Sequence, residues 1–128
     1  MNKKEAIEKT QNLFSADIIQ VSQFGASKDV CLWVKPSAYF KFLSELSELS
    51  FKRIVAFTDV ILDRTLIVTA FLENASYEAI LVRASFEDES TFEKFIENNK
   101  VEDLNKKLNF IKDSFRKFLK QSNDEKET

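Results

Sequence analysis

The stretch from Phe51 to Phe86 constrains this chain most, because its three short apolar runs separated by two polar turns read as an antiparallel meander. In the first run, Phe51 to Val60, apolar residues fall on both alternating sets, which predicts an inner strand with both faces at least partly covered. The second, Thr65 to Glu73, puts Leu66, Val68, Ala70 and Leu72 on one face, and its β-branched density favours strand over helix. The third, Tyr77 to Phe86, puts Ile80, Val82, Ala84 and Phe86 together. Leu62-Asp63-Arg64 and Glu73-Asn74-Ala75-Ser76 make the turns without glycine, so Asp63 and Asn74 are the residues expected to take left-handed backbone.

Before the meander, Lys3 to Phe14 has Ala6, Ile7, Thr10, Leu13 and Phe14 at helical spacing. Asp17 to Phe24 alternates like an edge strand. It runs into a turn at Gly25–Asp29, and Val30-Cys31-Leu32-Trp33-Val34 is short and apolar enough for a buried strand, completing a hairpin. Trp33 is expected in the core. Pro36 suits the first turn of a helix reaching Leu49, whose apolar face is Tyr39, Phe40, Phe42, Leu43, Leu46 and Leu49. After the meander, Ser90 with Glu93 has the form of a capping box, starting a helix through Phe92, Phe95 and Ile96. Beyond Asn98-Asn99-Lys100, a last helix carries Val101, Leu104, Leu108, Ile111, Phe115 and Phe118 at alternating spacings of three and four. A helix packed on the sheet is the favoured reading of this stripe; Phe110 and Leu119 widen it, so that it could contact the sheet on one side and another subunit on the other. Leu104, Leu108, Ile111, Phe115 and Phe118 are the candidate partner-binding residues.

These elements predict one α+β domain over residues 1–121, in the order αββαβββαα. The sheet, mixed or antiparallel and of about five strands, joins a hairpin to a three-strand meander and is packed by helices. Residues 122–128 are charged and expected to be a flexible tail.

Composition narrows the chemistry. There is no histidine, which removes the commonest metal ligand and the usual general base at neutral pH. The single cysteine, Cys31, lies between Val30 and Leu32 and reads as a small buried side chain. A net charge of −2 with both signs interspersed leaves no broad basic surface for nucleic acid. No leader-like apolar run follows Met1, so a cytoplasmic location is expected. Three charged constellations offer little more. Asp59 and Asp63 read as turn-capping carboxylates, and only a deep pocket lined by Asp59 and Tyr77 would make them catalytic. Arg53, Arg64 and Arg83 could gather as an anion site, or pair with Asp59, Asp63 and Glu78. Lys106, Lys107, Lys112, Arg116, Lys117 and Lys120 make the last helix locally basic. No catalytic, cofactor-binding or metal-ligating residue is assigned.

The order helix, hairpin, helix, meander resembles the N-terminal domain of the 30-kDa subunit family of respiratory complex I and its relatives in energy-converting, membrane-bound nickel–iron hydrogenases. The residues that carry the resemblance are Val30-Cys31-Leu32-Trp33-Val34, the Pro36–Leu49 segment, Phe51 to Asp59, Thr65 to Leu72 and Ala79 to Phe86, within Glu8 to Asp88. The longer members continue into a Glu-Arg-Glu segment and Asp-x-Phe-Gly-Ile, which this chain lacks; the resemblance is therefore to the shorter, hydrogenase-type subunit. It implies a non-catalytic structural or assembly subunit without a cofactor, in the cytoplasmic arm of a ferredoxin-linked oxidoreductase. Its partners would be the large and iron–sulfur subunits, and the membrane would be reached only through the complex. The alternative open at this level is a small acidic protein-binding module of secretion-chaperone or adaptor type. Its Phe-rich faces would then hold a client.

Overall fold

The computed structural model describes residues 2–24, 29–98 and 102–127. The helices are α1 (Lys3–Phe14), α2 (Tyr39–Glu48), α3 (Glu89–Asn98) and α4 (Glu102–Glu127). The strands are β1 (Ile18–Phe24), β2 (Asp29–Val34), β3 (Arg53–Leu62), β4 (Thr65–Glu73) and β5 (Ala79–Phe86). The fold is α+β with one five-stranded mixed sheet in the order β1-β2-β5-β4-β3, as the sequence predicts. β1 and β2 form the expected hairpin, its turn at 25–28 lying outside the described residues. β3, β4 and β5 form the meander.

The two units are joined by a parallel pairing of β2 with β5, from Val30↔Ile80 to Trp33↔Arg83. That pairing corrects one expectation. β3 is an edge strand, because the connection through α2 carries the chain across the sheet and the meander returns to seat β5 beside the hairpin. The physical reason lies in the strands' polarity. β3 carries Arg53, Thr58 and Asp59, all exposed, whereas four of the eight β5 residues are apolar and fully enclosed on the helix side.

All four helices contribute to one core on one face of the sheet. Leu32, Val34, Leu66, Val68, Ala70, Leu72, Ile80, Val82, Ala84 and Phe86 point into it. Ala6, Tyr39, Phe42, Leu46, Phe92, Phe95, Leu108, Ile111 and Phe115 meet them from the helices. Aromatic contacts fill the layer: Phe86 lies edge-on to Phe92 (5.0 Å) and to Tyr39 (6.0 Å), Tyr39 lies 4.9 Å from Phe95, and Phe14 packs on Phe42 at 5.1 Å. The Tyr39 hydroxyl, fully enclosed, donates to the Val82 carbonyl at 2.9 Å. A buried phenol therefore satisfies its one donor against the sheet.

The local signals at element ends differ from the expected ones in three places. Asp88, not Ser90, caps α3: its Oδ1 accepts from the Thr91 backbone N–H (2.7 Å) and the Thr91 hydroxyl (2.9 Å). In the loop after β4 the left-handed residue is Tyr77 (φ 62), while Asn74 works through its side chain. Its Oδ1 accepts from the backbone N–H groups of Ser76 (3.0 Å) and Glu78 (2.9 Å), and its Nδ2 donates to the Glu78 carboxylate (2.9 Å). Asp63 is left-handed as expected, and Arg64 joins it (φ 49 and 67), the two positive angles of a type I′ hairpin turn. α4 runs on through Glu127, past residue 121 where the domain was expected to end.

Candidate functional site

The partner-binding residues expected on the α4 stripe are not a free surface. Leu108 and Phe115 are fully buried and Ile111 nearly so, all within the chain's own core. Phe118 sits at the margin, about one-third exposed. Leu104 is outside the residues whose side chains are described. The apolar period is present as expected, and it serves internal packing, because a helix laid against α3 and the sheet needs that same stripe. The basic side of α4 is also partly engaged at home. The Arg116 guanidinium donates to the Glu89 carboxylate (2.6 Å from Nε) and lies 3.5 Å from Glu93, which Lys112 approaches at 3.7 Å.

The three arginines do not gather. Arg53 pairs with Glu73 at 2.9 Å on the β3–β4 rung nearest the Asn74 loop, with its guanidinium over the Tyr77 ring, 5.2 Å from the centroid. Arg64 is in the β3–β4 turn, and Arg83 is in mid-sheet on β5. Asp59 and Tyr77 also stand apart. Asp59 pairs with Val68 in the outer half of the β3–β4 ladder, while Tyr77 follows the opposite end of β4. The cleft beside Tyr77, of about 340 Å³, is shallow and lined by Ser50, Lys52, Arg53 and Glu73 among others, without Asp59. Among the described residues no group of three or more Cys, Asp or Glu is placed to hold a metal ion.

The feature that sequence reasoning misses is the second face of the sheet. Alternation along β2, β5, β4 and β3 sends Cys31, Trp33, Leu81, Arg83, Ser85, Ile67, Thr69, Phe71, Ala56, Thr58, Val60 and Leu62 to the side away from the core. The helices' buried apolar residues all join the cluster on the first face, and these side chains stand outside it. Trp33 is thus corrected from core to the open face, half-buried among its neighbours. Val60 and Leu62 are more than half exposed. Apolar character on both faces of β4 and β5 is visible in the sequence as a near-continuous hydrophobic run. Such a run signals a strand that needs cover on both sides, and among the described residues the helices pack on one side alone.

A row of side chains crosses this face in register: Trp33 on β2, Arg83 on β5, Thr69 on β4 and Thr58 on β3. Arg83 is fixed in it. Its Nε donates to the Thr69 hydroxyl at 2.9 Å, and its guanidinium lies over the Trp33 ring, 5.4 Å from the centroid. No carboxylate among the described residues pairs with it. Next to the row, Cys31 is buried under its neighbours. Burial pushes its thiol up, only partly opposed by Arg83, so it stays protonated and a poor nucleophile at neutral pH.

Both edges of the sheet are blunted. The β1–β2 register slips between Ile18 and Gln20, the β3–β4 register slips between Ile54 and Ala56, and β3 presents exposed Asp59 on its core side. Bulges and inward-facing charge on edge strands hinder strand addition by another chain. What remains is the second face, where Val60 and Leu62 are exposed, Trp33, Ile67 and Phe71 are partly buried, Cys31, Thr69 and Leu81 are buried, and Arg83 lies near the middle. Among the described residues no helix is long and apolar enough to cross a membrane. No protein-family model matches the chain, and no curated protein matches it.

Proposed function

We propose that the protein is a non-catalytic structural or assembly subunit that docks through its open sheet face into a larger oxidoreductase. In this reading the assembly is a membrane-bound, ferredoxin-linked hydrogenase or complex I-like enzyme. The second face carries the proposal: Val60 and Leu62 are more than half exposed there and Trp33, Ile67 and Phe71 lie partly buried outside the helix-side cluster, apolar surface of the kind that marks a protein–protein contact. The choice of assembly rests on the element order and the strand pattern that resemble the 30-kDa subunit family of complex I. The protein then contributes shape and a contact surface, holds no cofactor, and works in the cytoplasm, reaching the membrane only through the large and iron–sulfur subunits. Purification of the native protein under mild conditions tests the reading. The expected result is co-purification with hydrogenase-type large-subunit and iron–sulfur polypeptides, and recovery as a lone monomer would overturn it.

A further inference from the structure

We infer that the open sheet face takes one class of partner: an apolar protein surface bearing a single aspartate or glutamate that seats against Arg83. The inference rests on the docking role proposed above and adds what the partner must present. Among the described side chains Arg83 is the only charge in the central rows of the face, where Cys31, Leu81 and Phe71 form one row and Trp33 and Thr69 flank Arg83 in the next, with Cys31, Leu81 and Thr69 buried and Arg83 itself partly exposed. A partner that covered it with purely apolar side chains would strip water from an unpaired guanidinium, a cost that apolar contact does not return.

The cation is also prepared for a carboxylate. Nε is held by Thr69 at 2.9 Å and the guanidinium plane by the Trp33 ring, which leaves the two terminal amino groups to meet a fork of oxygens. Holding a long side chain still before binding removes part of the ordering cost that pairing would otherwise carry. Trp and Arg together at the middle of an apolar patch is the composition of interface residues that dominate affinity.

Two other occupants fit less well. A second copy of this chain, stacked face to face about a two-fold axis near the centre, would bring one Arg83 against the other, since such a contact uses the same patch twice. Addition of an extended segment to an edge meets the register slips at Ile18/Gln20 and Ile54/Ala56.

The test selects random peptides, displayed on phage, against the full-length protein, and measures binding of the enriched peptides by tryptophan emission. Trp33 is the only tryptophan, so the signal reports this face alone. Enriched sequences are expected to combine apolar residues with one Asp or Glu and to shift Trp33 emission to shorter wavelength. They are expected to bind about tenfold or more weakly when the peptide acid becomes its amide or when Arg83→Gln is introduced. Selection against Arg83→Glu is expected to switch to Lys or Arg. Enrichment without an acidic residue, equal binding of acid and amide peptides, or a sedimenting dimer that Val60→Asp dissociates would each overturn the inference. The peptide-side change needs no protein variant, so a misfolded substitution leaves the test intact. An acid preference in the peptides together with a native protein that purifies free of oxidoreductase polypeptides would sink the assembly named above and keep the inference.

Discussion

Ser50 shows how one backbone angle sets a local cost. It follows α2 with φ 80, and the backbone around it donates twice into the helix end, Phe51 N–H to the Leu46 carbonyl at 2.8 Å and Ser50 N–H to the Ser47 carbonyl at 3.1 Å. This is a Schellman ending, with buried Phe51 against buried Leu46 as its apolar contact and serine where glycine is free of Cβ strain. Ser50→Gly is expected to stabilise the fold by about 0.5–1 kcal/mol, read as a higher urea midpoint at unchanged slope. A fall in the midpoint would contradict the assignment. Tyr39 makes a prediction in pH. Burial raises its hydroxyl above the ordinary 10.0, so its contribution is intact below that value. The contribution is lost as pH climbs beyond it, because the unfolded chain can release the proton and the folded chain resists. Tyr39→Phe should cost about 1 kcal/mol at neutral pH, from the lost bond to Val82, and should flatten the decline in stability above pH 10. Denaturant midpoints of both proteins across that range check it.

Among the elements, α3 depends most on what lies outside its own apolar stripe. Its start is held by Asp88, whose carboxyl is kept below the usual carboxylate range by the Thr91 backbone N–H first and the Thr91 hydroxyl second. The sign follows: this stabilisation is present at neutral pH and disappears as pH falls through the lowered value and the cap protonates. Asp88→Ala is expected to cost about 1 kcal/mol, and Ser90→Ala close to nothing, when the two are compared by thermal melting. An equal loss from both would restore the capping box expected at Ser90. The link from α3 to α4 runs through Arg116, Glu89, Glu93 and Lys112 on the surface, where such pairs contribute little each. The buried stripe Leu108, Ile111 and Phe115 does most of the holding. Phe115→Ala should cost roughly 3–5 kcal/mol, a large part of a domain's whole stability, as measured by chemical denaturation.

For the molecule as a whole, the two faces of the sheet should answer differently to substitution. Val60→Thr with Leu62→Thr on the second face is expected to change the unfolding free energy by less than about 0.5 kcal/mol while weakening the association proposed above. The same apolar loss on the core face would unfold a marginal domain. Equal destabilisation from both faces would show that the second face is covered from within. Much of the architecture is legible in the sequence, because periods of two and 3.6 report which side chains share a face. Leu66 to Leu72, Ile80 to Phe86 and the α4 stripe each lie where their alternation puts them. The grouping of side chains on the second face of the sheet is not legible. Alternation assigns Trp33, Arg83, Thr69 and Phe71 to faces of separate strands, but neither the strand order nor the side the helices take is written in any one strand. β3 resembles an internal strand because Ile54, Val55, Val60 and Ile61 are apolar, and its charged Arg53 and Asp59 are the quieter sign of an edge. The sequence by itself determined the elements, the hairpin, the meander and most of the core residues, Trp33 excepted, since local periodicity and turn chemistry act over a few residues. Only the tertiary structure decided that β5 pairs with β2 and that all the helices lie on one side. Those choices turn on the summed burial of residues far apart in the chain, and they put Trp33, Arg83, Thr69 and Phe71 together on the face away from the helix-side core.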